Sequence, residues 1–252
     1  MAYSEFQKRT FEKYPVKAHK EISDTIIISF ISSVIRSTKK GKSFFKILDA
    51  GCGGGQLLES LARIPQIEVY GVDISAKALE IARQRGYKAY MCNVEPKKLP
   101  FDDDFFNIVV INELPEHMID PDDFLREVHR VLKDESNLII SVPNVSCPAS
   151  WFAQVFLDLP PMQSARYKSI HVRDYTLRIL KIVLKSNGFK IKQVKGTYLY
   201  PFTNVISRLV ANLFPRLSER LILICEKGVI PDLELDDVYF NINKLLGIGE
   251  HL

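Results

Sequence analysis

Leu48-Asp49-Ala50-Gly51-Cys52-Gly53-Gly54-Gly55 follows the apolar run Phe44 to Leu48 and opens a helical pattern that continues until Pro65. A buried strand thus turns through an acid and a glycine cluster into a helix, and the unit then repeats. Val69-Tyr70-Gly71-Val72 is a second strand ending at Asp73, Ser75 can N-cap the next helix, and Gly86 stands where a C-terminal glycine belongs. Glycines let a ligand approach the backbone, helix-start amides offer donors, and an acid ending the second strand accepts bonds from ribose hydroxyls. The pattern points to a nucleoside-bearing cofactor. A dinucleotide fingerprint would place its third glycine five residues after the first, where this chain has Gln56.

Outward from that unit the alternation persists. Ala89 to Cys92 and Phe106 to Ile111 read as strands three and four. Asp120 then caps a helix with Pro121 at its first position, Asp122 and Asp123 in its first turn, and Arg130 and Lys133 at its end. Leu138 to Val142 is a fifth strand. A helix over 174–187, the strand Phe189 to Leu199, an amphipathic segment over 203–214 and the strand Leu221 to Cys225 complete the set. Strands too apolar to have a wet face, separated by helices, predict an α/β chain: a Rossmann-like, doubly wound, mostly parallel seven-stranded sheet with helices on both faces. Its ligand crevice belongs at the strands' carboxyl ends. Upstream, Ile22, Ile26, Ile27, Phe30, Ile31, Val34 and Ile35 recur at helical spacing.

The chain has 252 residues, 46% hydrophobic and 25% charged, a composition that suits one folded domain and argues against disordered and fibrous classes. Ile26 to Ile31, the most apolar stretch of the N-terminal half, is far shorter than the ~20 residues of a membrane span. The start of the chain, with Glu5, Lys8, Arg9, Glu12 and Lys13, lacks the apolar core of a signal peptide. Cys52, Cys92, Cys147 and Cys225 lie too far apart for a zinc pair and are too few for a disulfide scaffold. The expectation is a reduced, cytoplasmic protein. Its net charge of +4 hides an asymmetry: Leu159 to Ser218 holds eleven Lys or Arg against the single acid Asp174. Arg178, Lys181 and Lys185 recur as one helix face, whereas Arg166, Lys168, Arg173, Arg208 and Arg216 do not.

The glycine loop with Asp49 and Asp73 is followed by Leu99-Pro100-Phe101 and acids, then Phe106-Asn107-Ile108-Val109-Val110, Glu113-Leu114-Pro115-Glu116-His117, and Leu125-Arg126-Glu127-Val128-His129-Arg130-Val131-Leu132-Lys133. In this order the blocks resemble the class I S-adenosylmethionine-dependent methyltransferases, in particular the ubiquinone and menaquinone biosynthesis type. The resemblance runs from Lys46 to Asn144 and more loosely to residue 227. It implies that Asp49, Gly51, Cys52, Gly53 and Gly55 hold the methionine end of S-adenosyl-L-methionine. Asp73 with Ile74 would serve the ribose, Asn93 and Val94 would flank the adenine, and Asn112 and Glu113 would line the pocket near the sulfonium. Asn93, where the family often has Asp, and Pro115, in place of an ordinary apolar residue, depart from the pattern.

The implied activity is methyl transfer to a small-molecule, glycan or lipid-intermediate acceptor, with no metal ligand set and no nucleic-acid motif in the sequence. The basic segment suggests an anionic acceptor met by Arg166, Lys168 and Arg173 converging near His171. His117 and His171 are the candidate catalytic residues: His117 as general base or as packing beside the cofactor, His171 as acceptor contact or loop hydrogen-bonder. An NAD-dependent oxidoreductase and a catalytically silent cofactor-binding protein are the alternatives. Val205, Ile206, Leu209, Val210, Leu213 and Phe214 form an apolar stripe read as core or pocket lid in preference to a membrane face. The chain divides into an N-terminal helical segment (1–43), the methyltransferase domain (44–227, with acceptor-side elaboration over 145–218) and an acidic tail (228–252).

Overall fold

The computed structural model describes residues 21–38, 44–61, 64–65, 67–95, 98–159 and 171–232. Seven strands form one sheet: β1 (Phe45–Ala50), β2 (Ile67–Asp73), β3 (Lys88–Met91), β4 (Phe106–Asn112), β5 (Leu132–Pro143), β6 (Phe189–Gly196) and β7 (Arg220–Lys227). Their order is β3-β2-β1-β4-β5-β7-β6, with the first five parallel and β7 antiparallel to both β5 and β6. The order reverses between β1 and β4, so the loops leaving these strands part and open a crevice at their carboxyl ends.

Alternation along β4 shows how the two cores are filled. Ile108 and Val110 point to one face, where α1 (Glu21–Thr38), α2 (Gln56–Leu61) and α3 (Ala76–Gln84) bury Ile27, Ile31, Leu57 and Leu79. Val109 and Ile111 point to the other, against Phe124 and Val128 of α4 (Pro121–Val131) and Leu180 and Leu184 of α6 (Leu177–Ser186). The upstream isoleucines are therefore part of the core. The expected caps are present: Ser75 and Asp120 accept the amides of Ala78 and Asp122.

Other boundaries differ from expectation for identifiable reasons. β5 begins at Leu132, ahead of the predicted Leu138, because backbone pairing of Leu132 with Phe106 extends it through the polar residues Lys133 to Ser136. A register shift between Phe106 and Ile108, with Glu135 at φ 56°, absorbs the irregularity. β6 ends at Gly196 because the chain then turns to bridge Leu199 with Phe202.

One expectation is corrected. α5 (Pro148–Leu157) and α7 (Val205–Leu213) complete the helices, and the stripe on α7 is not core: Val205, Ile206, Leu209, Leu213 and Phe214 are exposed, and Val210 is half-buried. Ser207 and Ala211 face the protein instead. A Cβ on Gly196 would lie 2.5 Å from the Ala211 carbonyl, so β6 and α7 approach backbone to backbone and only small side chains fit between them. Only part of the basic segment lies within the described residues. Arg178 and Lys185 are exposed on α6, Lys190 and Lys192 are exposed on β6, and Arg173 donates to the Ile119 carbonyl. Arg166 and Lys168 lie outside the described residues, as does the tail beyond Asp232. Among the described residues, no helix is long and apolar enough to cross a membrane.

The block from Leu99 to Asp103 is held by one side chain. Arg130 makes a bidentate pair with Glu127 (3.0 and 2.8 Å), reaches Asp103 at 2.6 Å, and donates to the carbonyls of Phe101 (2.9 Å) and Leu99 (3.2 Å). Glu127 in turn accepts the Leu99 amide at 3.0 Å. The hydrogen bonds from Arg130 hold the Glu127 carboxyl below the usual glutamate range. Arg130→Met should strand Glu127 and free both carbonyls, costing about 2–4 kcal/mol in urea unfolding. Because the depressed carboxyl stabilises the fold above the ordinary glutamate range and loses that contribution as pH falls through its folded value, the stability gap between wild type and Glu127→Gln should close in acid.

Candidate functional site

The loop after β1 is drawn against β2 by two amides, Gly51 and Cys52, which donate to the Val72 carbonyl at 2.8 and 3.0 Å. Gly51, Gly53 and Gly55 all have positive φ (78°, 51° and 81°), a conformation that favours glycine. A Cβ on Gly53 would meet nothing nearer than Gln56 Oε1 at 4.0 Å, so the loop offers bare backbone to open space. Cys52 and Asp49 are buried beneath it. At the end of β2, Asp73 Oδ2 accepts the Gly53 amide and Oδ1 accepts the Ser75 amide, both at 2.8 Å. One carboxylate thus ties the glycine loop to the start of α3. Ile74, Asn93 and Val94 follow β2 and β3 on the same edge, half-buried, and Asn93 Oδ1 accepts the Glu95 amide at 3.2 Å.

At the end of β4, Asn112 is buried and engaged on both sides: its carbonyl accepts the Ser141 hydroxyl at 2.5 Å and its amide donates to Asp24 of α1 at 3.1 Å. Glu113 takes the left-handed conformation at φ 58°, which non-glycine residues adopt at an energetic cost. Its Oε2 lies 3.0 Å from Arg220 Nε, and its Oε1 is buried with no hydrogen-bond partner. Glu219 approaches the same guanidinium at 3.6 Å. Burial opposes the Arg220 charge, but the Glu113 and Glu219 carboxylates outweigh it and keep it protonated. Burial and the Glu219 charge push the neighbouring Tyr198 phenol up to about 12.

The short 3-10 turn Pro115–His117 comes next, with Glu116 and His117 buried. The Glu116 carbonyl accepts the amides of Val172 and Arg173 at 2.8 and 3.2 Å, and the buried Tyr175 hydroxyl donates to the Pro115 carbonyl at 3.4 Å. These bonds stitch residues 171–175 to the turn and set the His171 ring 4.8 Å from the His117 ring, edge to face. One ligand atom from each of Glu116, His117 and His171 lies within 4.8 Å of the others. A carboxylate and two imidazoles can relay a proton or hold a divalent cation.

The described candidates from Asp49 to Glu113 lie at or just after the carboxyl ends of β1 to β4, and His117 and His171 meet beyond β4. The edge adds Glu116, legible beside His117 in the same block, together with Ser141, Asp24 and Arg220. No local pattern marks these three, since each is recruited from a distant element.

Residues 48–140 match the family model described as a methyltransferase domain. The ubiquinone biosynthesis O-methyltransferase of Acinetobacter baylyi is 27% identical over 169 residues, covering 63% of this chain and 68% of that protein. The Pelagibacter ubique protein of the same name is 32% identical, covering 53% of this chain and 55% of its own length. The mitochondrial one of Saccharomyces cerevisiae is 28% identical, covering 62% and 53%. The match thus spans from about half to two thirds of these relatives. Among solved structures, a possible histamine N-methyltransferase from Thermotoga maritima aligns with a TM-score of 0.59 at 18% identity, covering 87% of this chain and 99% of that one. The [4+2]-cyclase SpnF aligns at 0.55 and 18%, covering 79% and 81%, so the fold by itself does not dictate methyl transfer.

The local geometry fits S-adenosyl-L-methionine: a glycine loop open on one side, and a carboxylate at the end of β2 that fixes that loop through the Gly53 amide. Asp73→Ala should weaken S-adenosylhomocysteine binding by about 2–4 kcal/mol in calorimetric titration. Unchanged affinity, or tight NAD binding by the wild type, would contradict this placement.

Proposed function

We propose that this chain, a class I S-adenosylmethionine-dependent methyltransferase, methylates a hydroxyl oxygen of a small-molecule or lipid-intermediate acceptor. The acceptor enters beside Glu113 and the 171–175 segment. The observation that carries the reading is the His117–His171 pair, 4.8 Å between ring centroids, at the carboxyl edge next to the glycine loop. The O-methyltransferase names of the sequence relatives support oxygen as the atom methylated.

In this reading Asp49, Gly51, Cys52, Gly53, Gly55, Asp73, Ile74, Asn93 and Val94 hold the cofactor, and Asn112 braces the floor through Ser141 and Asp24. When bound, S-adenosylmethionine supplies an electrophilic methyl group on a positive sulfonium, ready for in-line displacement. The protein's part is then alignment, exclusion of water, and removal of the hydroxyl proton. His171, half-buried, faces the acceptor and takes that proton at a ring nitrogen; the more deeply buried His117, backed by Glu116, shares the charge. The positive stretch over 159–218 favours an acceptor with an anionic group, and replacing Arg166 and Lys168 together by Gln tests this through a raised KM with unchanged cofactor affinity.

A second reading comes from the same cluster. Glu116, His117 and His171 together are a donor set for a divalent cation that would orient the acceptor oxygen. Loss of turnover on chelation, restored by added metal, would favour it; indifference to chelator favours the base.

With an acceptor identified by transfer of isotopically labelled methyl groups into a metabolite extract, His171→Ala should lower kcat about 10²–10⁴-fold while leaving S-adenosylhomocysteine affinity intact. The wild-type pH–rate profile should show an acid limb, as protonation of the base removes its ability to accept the hydroxyl proton, and that limb should be absent in the variant. Unaltered turnover would remove His171 from the site.

A further inference from the structure

β7 carries the chain away from the cofactor edge. It runs antiparallel to β5, with Arg220 level with Pro143 at the carboxyl end and Glu226 level with Asn137 at the other. It ends at Lys227, beside Phe189 at the start of β6. The Gly228 amide then donates to the Gly188 carbonyl, and His129 Nε2 meets the Gly228 carbonyl, both at 2.8 Å. A Cβ on Gly188 would lie 2.9 Å from Ile230 Cγ1 and 3.0 Å from its amide nitrogen, so residues 228–230 cross the start of β6 at backbone distance.

This crossing delivers the chain to an apolar groove with a basic rim. Phe189, Ile191, Val229 and Pro231 line it, flanked by Lys185 of α6 and Lys190 of β6. Val229 is 85% exposed and Ile230 42%, so apolar surface stands uncovered where the described chain ends. Lys185, Lys190 and Lys192 are exposed as well. β6 is the last strand of the sheet, and no strand among the described residues pairs with its outer edge. Such an edge presents a row of backbone donors and acceptors to any strand that reaches it.

The sequence that follows complements both the groove and its rim. Asp232-Leu233-Glu234-Leu235-Asp236-Asp237 alternates acids with leucines and holds four acids and no base. β6 opens Phe189-Lys190-Ile191-Lys192, the same alternation with the opposite charge. Neighbouring strands present the residues at one level to the same face. Leucines set beside Phe189 and Ile191 would therefore bring the acids beside Lys190 and Lys192. A second copy paired through the same edge would instead set lysine against lysine, which opposes self-association. The tether favours the chain's own segment: five residues span at most about 18 Å, so 233–237 stay at this face at an effective concentration on the order of millimolar.

We propose that residues 233–237 dock along the outer edge of β6, with Leu233 and Leu235 in the groove and Glu234 and Asp236 against Lys190 and Lys192. The segment thereby covers an edge that other strands could pair with, and neither statement depends on the cofactor or the reaction. Carbodiimide coupling of the full chain should form amide links from Lys190 or Lys192 to Glu234 or Asp236 within one molecule, and fewer of them as salt rises. In a mixture of isotopically light and heavy protein, links that join light to heavy chains would assign the segment to a neighbouring molecule and overturn the proposal. Amide hydrogen exchange over 190–194 should be roughly tenfold faster in Glu234→Lys with Asp236→Lys than in the wild type, and likewise in Lys190→Glu with Lys192→Glu. The variant combining all four changes should recover wild-type exchange, a rescue that separates lost docking from a damaged fold. Exchange that is equal in the wild type and both pairs, or no recovery in the combined variant, would sink the proposal. S-adenosylhomocysteine affinity should be the same throughout, because the groove lies at the end of the sheet away from the glycine loop.

Discussion

The carboxylate of Asp73 is the constraint on which the cofactor edge depends. By accepting the amides of Gly53 and Ser75 it couples three pieces of chain that diverge there: the loop after β1, the end of β2 and the first turn of α3. Amides left unpaired at such an edge would each cost free energy, and a single charged acceptor satisfies two of them with bonds stronger than neutral ones. The same two bonds leave the glycine loop with its backbone turned to open space, so the feature that stabilises the edge is also the one that makes it a binding surface.

The acceptor side depends on a different device, the antiparallel return of β7. Inserting β7 between β5 and β6 brings Arg220 level with Pro143 and hence against Glu113, whose left-handed backbone turns the chain out of β4 towards the 3-10 turn. The Arg220 guanidinium, 3.0 Å away, gives the partly buried Glu113 carboxylate its partner. From that turn the Glu116 carbonyl captures the 172–173 amides, and through them His171 comes to rest beside His117. The two histidines meet because of backbone hydrogen bonds; their own ring contact is a consequence.

Gly196 has a similar reach. Its lack of a side chain lets α7 sit against β6 at backbone distance, which selects Ser207 and Ala211 for the inner face and leaves the large apolar residues outside. Packing of that kind stabilises little by burial of apolar area.

The parallel half of the sheet was legible because its signals are local. Apolar runs, a glycine cluster with an acid before it, an aspartate at the end of the second strand and caps at Ser75 and Asp120 each act within a few residues, and they sufficed to place the glycine loop and Asp73 at the carboxyl ends of the strands. Leu99-Pro100-Phe101 and the block around Glu127 and Arg130 could be recognised as a pattern, but that they are one clamp became visible only with Arg130 seated on both carbonyls. Arg220, Ser141 and Asp24 left no trace, because a single polar residue brought in by a distant strand or helix has no periodicity to betray it. The stripe on α7 was seen, but its reading as core does not hold. Periodicity establishes that a helix has two faces, whereas which of them turns inward is decided by how closely the neighbouring backbone can approach, and that depends on the tertiary contact with Gly196.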